Sequence, residues 1–379
     1  MRPGTGLLIC VLCTSACASR PHEATTARQV EEPIALDGLR LSTRDTARGV
    51  IVDAYDAKDL FARALREMNR GEYAIAHAAF DRVTDEFPDS QYVSAALYNA
   101  GLCLQRLEKW QESAHRYERL LSVRPESRDA KHANFQLAFL YQEMGQWDNA
   151  LATARQLTAR QDLDSDERAE AMARHASALF GKDDIVAAAD VANRTLRFYR
   201  TRQPGSEVRD PYFVASANFT LAETIRLRSE AIALPDADVD KQREVLERRA
   251  QLLLQAQRTY FDTIRLTDAY WASAAGYRIG AMYERFWHAI MTAPVPPPKS
   301  ELNEAGIALY RQEYRHRLAE LVRPLTRHAI RYWELTLVMV ERTGVHSEWT
   351  EQIRASLERA KERLLQRADT SPGTEVRGT

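Results

Sequence analysis

The stretch that decides the fold is residues 98–117, YNAGLCLQRLEKWQESAHRY, in which the small residue Gly101 is followed by aromatic side chains at Trp110 and Tyr117. The same order of residue types recurs at a constant step of 37 residues. The recurring positions are small Ala64, Gly101 and Ala138; aromatic Tyr73, Trp110 and Trp147; Phe80 and Tyr117, with Ala154 in the third copy; and Pro88 and Pro125. A period of this length indicates a repeated supersecondary unit.

Each copy of the repeat is typical of two helices joined by a short turn. The small residues Ala64, Gly101 and Ala138 predict a close approach of the two helices. The proline at 88 and at 125 predicts the end of the second helix, because proline cannot continue the i→i−4 hydrogen-bond ladder. One such pair cannot bury its apolar face alone, so we expect the pairs to stack on one another.

These residues resemble the tetratricopeptide repeat (TPR) family, with its pattern of small residue, turn, aromatic, alanine, aromatic and proline. The period is longer than the usual length of about 34 residues. With Pro-x-Ser before the next first helix, it resembles the periplasmic TPR proteins of outer-membrane assembly and envelope maintenance. The resemblance implies an all-α fold, a TPR-type α-solenoid of stacked helical hairpins with a C-terminal helical cap.

Composition agrees with a helical protein and excludes some functions. Among 379 residues there are only 15 Gly and 14 Pro, whereas 45% are hydrophobic and 28% are charged. Such a chain has enough apolar material for a core and too few turn residues for a turn-dense all-β fold. The formal net charge is −1, so no overall positive field exists to attract nucleic acid.

The first residues carry the features of a bacterial secretory signal. A positive start and the apolar run 7–13 precede Ser15-Ala16-Cys17, which resembles the end of a lipobox. The run is shorter than the roughly 20 residues that a membrane-spanning helix needs. Thr14 departs from the lipobox pattern, which has a large apolar residue at that place.

The sequence is therefore compatible with two cleavage sites. Processing before Cys17 would place acyl chains such as palmitate on that residue and anchor the protein to a membrane. Because Ala18 and not Asp follows Cys17, the resemblance favours the periplasmic face of the outer membrane. Cleavage after Ala18 would instead release a soluble periplasmic protein.

The domain organisation follows from these signals and from the helix and turn patterns further along. A Pro-rich stretch interrupts the chain before a long helix that we expect to be bent or broken at Pro324 and ended by Gly344. The predicted segments are 1–16, lipoprotein signal peptide; 17–53, lipidated Cys17 and flexible tether; 54–199, TPR repeats; 200–292, irregular TPR-like hairpins; 293–300, Pro-rich connector; 301–367, C-terminal helical cap; and 368–379, disordered tail.

Motifs for catalysis or metal binding are missing from the sequence. There is no His-Glu-x-x-His, no Gly-x-Ser-x-Gly and no phosphate-binding Gly loop. Asp236, Asp238, Asp240 and Glu247 have EF-hand spacing, but Lys241 occupies the position that requires Gly. We therefore expect no enzyme, no catalytic residue, no metal and no cofactor.

The candidate functional feature is a surface. In a TPR array the first helix of each pair lines a concave groove, and the resemblance transfers this role to ten residues. They are Phe61, Leu65, Met68, Tyr98, Leu102, Gln105, His132, Phe135, Phe139 and Gln142. Aromatic rings and amides could hold an extended peptide. The alternative is that these residues pack between helices, and their exposure distinguishes the two hypotheses.

The predicted function is an outer-membrane-anchored TPR scaffold that binds other envelope proteins and no nucleic acid. Candidate processes are outer-membrane assembly, peptidoglycan coordination, and gliding or secretion machinery. Two alternatives remain at this point: a soluble periplasmic TPR adaptor, and a docking subunit of a periplasmic enzyme.

Overall fold

The computed structural model describes residues 38–46, 49–201, 207–235, 239–298 and 300–369. The predicted signal peptide, Cys17, the tether up to residue 37 and the tail from residue 370 lie outside them. The described residues form two short strands and thirteen helices, so the all-α prediction is confirmed. They divide into two compact units, one ending at Arg228 and one beginning at Ser229.

The elements follow one another along the chain with short connections. They are β1 Arg40–Thr46, β2 Gly49–Tyr55, α1 Ala57–Asn69, α2 Tyr73–Glu86, α3 Val93–Arg106, α4 Trp110–Val123, α5 Arg128–Glu143, α6 Trp147–Ala159, α7 Ser165–Gly181, α8 Ile185–Arg200, α9 Tyr212–Glu230, α10 Val239–Arg265, α11 Ala269–Thr292, α12 Glu304–Thr343 and α13 Glu348–Asp369.

The first unit contains four helical hairpins, α1–α2, α3–α4, α5–α6 and α7–α8, and each second helix also packs on the next first helix. Tyr73, Trp110 and Trp147 are the first residues of α2, α4 and α6, as the repeat predicts. Helices α2 and α4 end two residues before Pro88 and Pro125. The turn before α2 contains Gly71 at φ +81°, a conformation that side-chain-bearing residues rarely adopt.

The two helices of a hairpin touch at the small residues. A methyl group added to Gly101 would lie 2.5 Å from Cζ of the Tyr117 ring on α4. The hydroxyl of Ser113 donates a hydrogen bond of 2.9 Å to the Gly101 carbonyl in the same crossing. Ala64 and Ala138, at the equivalent positions, are fully buried. Cys103, two residues after Gly101, is fully buried in the core, and this burial raises the pKa of its thiol to about 12.

The fourth hairpin begins with a capped helix where the earlier repeats have Pro. The Asp164 side chain accepts a hydrogen bond from the Glu167 backbone N–H, and the Glu167 side chain accepts one from the Asp164 backbone N–H. This reciprocal capping box satisfies two amide groups at the start of α7. The acidic stretch 162–167, DLDSDE, which stands in place of the Pro turn, thus leads into a helix.

One prediction for the N-terminal segment is wrong. Arg40–Thr46 and Gly49–Tyr55, predicted mostly as flexible tether, pair as the antiparallel strands β1 and β2. The missed signal is the β-branched run Val50-Ile51-Val52, which favours a strand. The base of the hairpin rests on α2, where the Tyr55 hydroxyl donates to Glu86 Oε2 at 2.6 Å and Arg82 Nη2 donates to that hydroxyl at 2.8 Å.

In the second unit α10 packs on α11, while α12 and α13 both pack on α11 and on each other. Gly276 and Gly280 of α11 leave room for Thr336 and Trp333 of α12, and the Trp333 indole N–H donates to the Tyr277 carbonyl at 3.1 Å. Helix α12 is the long helix that the sequence predicts, and it ends at Gly344, which has φ +66°. It is not interrupted at Pro324, contrary to one expected outcome. Helix α13 reaches Asp369, two residues into the predicted tail.

Gly101→Ala should lower the free energy of unfolding by about 1–3 kcal/mol, because the added methyl overlaps the Tyr117 ring and outweighs the better helix propensity of Ala. The measurement is urea unfolding followed by circular dichroism. Gly38→Ala is the control, since nothing lies within 4 Å of the added methyl there. Equal stability of the two variants would show that the α3–α4 crossing does not require a small residue.

Candidate partner-binding surface on the first helices

The first helices α1, α3, α5 and α7 carry the ten side chains predicted to line a groove. Five of the ten are buried, with 0–8% of their surface exposed: Phe61, Met68, Tyr98, Leu102 and Phe135. For these five the groove prediction is wrong, and the alternative of packing between helices holds. The other five are half-buried: Leu65, Gln105, His132, Phe139 and Gln142.

Ring contacts explain why the buried aromatic residues turn inward. The Phe61 ring centroid lies 5.4 Å from that of Phe80 on α2 and 5.2 Å from that of Tyr92 at the start of α3. The Tyr98 and Tyr117 centroids lie 5.6 Å apart inside the α3–α4 hairpin. Large apolar rings gain more from this burial than from exposure to solvent, so they form the hairpin core.

The predicted amides are engaged with the neighbouring first helix. Gln105 Nε2 on α3 donates to Gln136 Oε1 on α5 at 3.0 Å. Gln142 on α5 donates to the Arg174 carbonyl on α7 at 2.9 Å and accepts from Arg174 Nη1 at 3.3 Å. The two contacts occupy the same place in successive junctions, because Gln105 and Gln142 are 37 residues apart. They are polar rungs that link the repeats.

A second pair of contacts repeats nearer the start of the same helices. The Ser94 hydroxyl on α3 donates to Asp129 Oδ2 on α5 at 3.0 Å. Lys131 Nζ on α5 lies 2.6 Å from Glu167 Oε1 on α7. Ser94 and Lys131 are again 37 residues apart, so each of these two junctions has two polar contacts. These contacts set the spacing of the first helices and therefore the surface that they present.

Arg174 lies on α7 and contacts Gln142 of α5. The sequence pattern did not predict a role for this residue. Its Nε lies 2.7 Å from Oε1 of Glu170, which is 1% exposed. Its guanidinium carbon lies 5.6 Å from the Phe139 ring centroid and 5.2 Å from that of Phe213 on α9. The arginine is thus stacked between two aromatic rings while it neutralises a buried carboxylate. Its counterpart Gln136 lies 38 residues earlier, one more than the repeat period, so the period alone does not mark Arg174.

The second helices carry their own ion pairs between repeats. Arg116 on α4 binds Asp81 on α2 through two hydrogen bonds of 2.7 and 2.8 Å. Three residues further on, Arg119 donates to Asp85 at 3.1 Å. Bidentate arginine–carboxylate contacts are geometrically specific, so they hold α2 and α4 in one relative position. Because the first helices pack on α2 and α4, their relative positions are fixed as well.

None of the described helices combines the length and the apolar character that a membrane crossing requires. In the described ranges, no three His, Cys, Asp or Glu side chains are grouped so that they could hold a metal ion.

The repeated hairpins match a known sequence model. Residues 95–127 and 132–161, which contain most of α3 and α5 and all of α4 and α6, match the tetratricopeptide repeat. The chain contains TPR repeats. No curated protein sequence matches it.

Several solved structures are similar to the chain. A tetratricopeptide repeat protein from Parabacteroides merdae is 15% identical with a TM-score of 0.39, covering 80% of this chain and 98% of that one. MamA from Desulfovibrio magneticus is 15% identical with a TM-score of 0.36, covering 54% and 96%. Human IFIT1 is 12% identical with a TM-score of 0.37, covering 83% and 65%.

Arg174→Ala should lower the free energy of unfolding by about 3 kcal/mol, because it leaves the Glu170 carboxylate buried without this counter-charge. Adding Glu170→Gln should recover part of the loss by removing the buried charge. Urea unfolding of the two single variants and the double variant measures the coupling. Arg194→Ala is the control, because its pair with Asp190 is exposed and should contribute less than about 1 kcal/mol. A cost for Arg174→Ala as small as that of the control would contradict the assignment.

Proposed function

We propose that this protein is a TPR scaffold that binds protein partners on the half-buried surface of its first helices. The observation that carries the proposal is that half-buried side chains lie beside a fixed polar framework. Leu65, His132 and Phe139 retain part of their surface, whereas the amides beside them are held in rungs between repeats. A surface of this kind needs little rearrangement on binding.

The framework also limits how a partner would be recognised. Because Gln105 and Gln142 already bond to neighbouring helices, they are not available as ready acceptors and donors for the backbone of a peptide. Recognition would therefore rest on area buried against Leu65, Phe139 and the edge of Phe213. A helical or extended segment with apolar side chains fits this chemistry better than a purely polar one.

The proposed location is the periplasmic face of the outer membrane, with a lipid anchor at Cys17. This part rests on the N-terminal sequence pattern of positive start, apolar run and Ser15-Ala16-Cys17. An anchored scaffold would hold partners close to the membrane and raise their effective concentration there. Outer-membrane assembly, peptidoglycan coordination, and gliding or secretion machinery are the proposed settings.

A photo-crosslinking amino acid, p-benzoylphenylalanine, placed at position 65 or 132 should capture partner proteins in living cells. The matched control is position 186 on α8, where Val186 is 82% exposed on a second helix. Immunoblots should show discrete higher-mass bands for positions 65 and 132 and none of these bands for 186. The same bands from all three positions, or none from 65 and 132, would count against the first helices as the binding surface.

Cys17→Ser should abolish metabolic incorporation of an alkyne fatty acid and release the protein from the membrane fraction, because the side chain that carries the acyl group is lost. Cys103→Ser is the control, since its buried thiol cannot be the anchor. Click labelling and membrane fractionation give the readout. Unlabelled wild-type protein in the soluble periplasmic fraction would instead support cleavage after Ala18.

A further inference from the structure

Arg249 is the charged residue among the side chains that α10 buries in the described part of the chain. The buried face of this helix includes Arg249, Leu253, Ala256 and Tyr260, at steps of four, three and four residues. Arg249 is 8% exposed, close to the 6% of Leu253 one turn further along the helix. A buried guanidinium is costly unless hydrogen bonds and an opposite charge compensate it.

The surroundings of Arg249 supply little of that compensation. Its guanidinium carbon lies 5.9 Å from the Phe286 ring centroid on α11, which covers one side of the group. Its Nε is enclosed and has no hydrogen-bond partner in the described part of the chain. The contact that the residue makes with Ser229 involves the backbone, since the Ser229 hydroxyl donates to the Arg249 carbonyl at 2.9 Å.

The carboxylate whose charge acts on Arg249 is shared with a second arginine. Glu230, at the end of α9, accepts a hydrogen bond of 2.9 Å from Arg285 Nη1. Burial lowers the pKa of Arg249 although Glu230 raises it, so this carboxylate does not offset the desolvation of the guanidinium. We call Glu230, Arg249, Arg285 and Phe286 the Arg249 cluster. It holds two guanidinium groups and one carboxylate.

Two members of the cluster reach solvent. The Arg285 side chain is 58% exposed and that of Glu230 is 24% exposed. A ligand reaching Arg249 would therefore meet a planar hydrogen-bond donor backed by an aromatic ring, in a partly desolvated site. A guanidinium in such a place is suited to an anion with two oxygens, because the planar fork matches that geometry and the low dielectric strengthens the attraction.

We propose that the Arg249 cluster binds an oxyanion, a carboxylate or a phosphate group, whose oxygens accept hydrogen bonds from the Arg249 guanidinium. The anion brings the negative charge that the cluster lacks. This site is separate from the surface of the first helices and does not depend on the proposed scaffold function.

The test is thermal unfolding of the purified protein, followed by circular dichroism, during titration with sodium phosphate and with sodium acetate. Sodium chloride keeps the ionic strength constant. At least one of the two anions should raise the melting temperature by about 2–4 °C and then saturate, as expected for a ligand that binds the folded state alone. A response to phosphate assigns a phosphate group, and a response to acetate assigns a carboxylate. A melting temperature unaffected by both overturns the proposal.

Variants connect the response to the guanidinium. Arg249→Met keeps the volume and removes the charge, so it should abolish the anion response while raising the melting temperature in chloride alone. Arg249→Lys keeps the positive charge but loses the planar pair of N–H donors, so the apparent affinity for the anion should fall at least tenfold. If Arg249→Met does not fold, the Lys variant tests the proposal in its place. Arg248→Met, on the exposed side of the same helix, should respond like the wild type. An unchanged response in the Arg249 variants overturns the proposal.

Discussion

The close approach of two helices in each hairpin is the constraint on which the first unit depends. At Gly101 the backbone of α3 touches the Tyr117 ring of α4, and Ser113 bonds to the Gly101 carbonyl in the same crossing. This contact brings the apolar faces of the pair together and directs Tyr98 into the space between them. Because Tyr98 and Phe61 are buried, half-buried side chains and polar groups form the surface of the first helices.

Those polar groups show how one repeat is placed against the next. Apolar packing alone is not directional, and helices that meet only through it can slide. The rungs from Gln105 to Gln136 and from Gln142 to Arg174, with the bidentate pair of Arg116 and Asp81 on the second helices, add directional contacts at the junctions. Their individual contributions to stability are modest, whereas their geometry fixes the register of the repeats.

The second unit uses similar physics with different residues. Gly276 and Gly280 admit Thr336 and Trp333 in the crossing of α11 with α12, as Gly101 admits Tyr117 in the first unit. Helices of 24 and 40 residues replace helices of 13 to 17, so the repeat period is lost although the packing rule persists. Arg249 differs from these small-residue contacts, because a charged side chain is buried there.

The sequence by itself determined the class of fold, the period, and the places where helices begin and end in the repeats. These features depend on local chemistry, such as Pro88 and Pro125 ending helices or small residues recurring at one step. Only the tertiary structure decided which side chains of the first helices face solvent, because Phe61 and Tyr98 are drawn inward by rings from other helices. It alone showed that aromatic rings cover the guanidinium groups of Arg174 and Arg249, since these rings come from other helices.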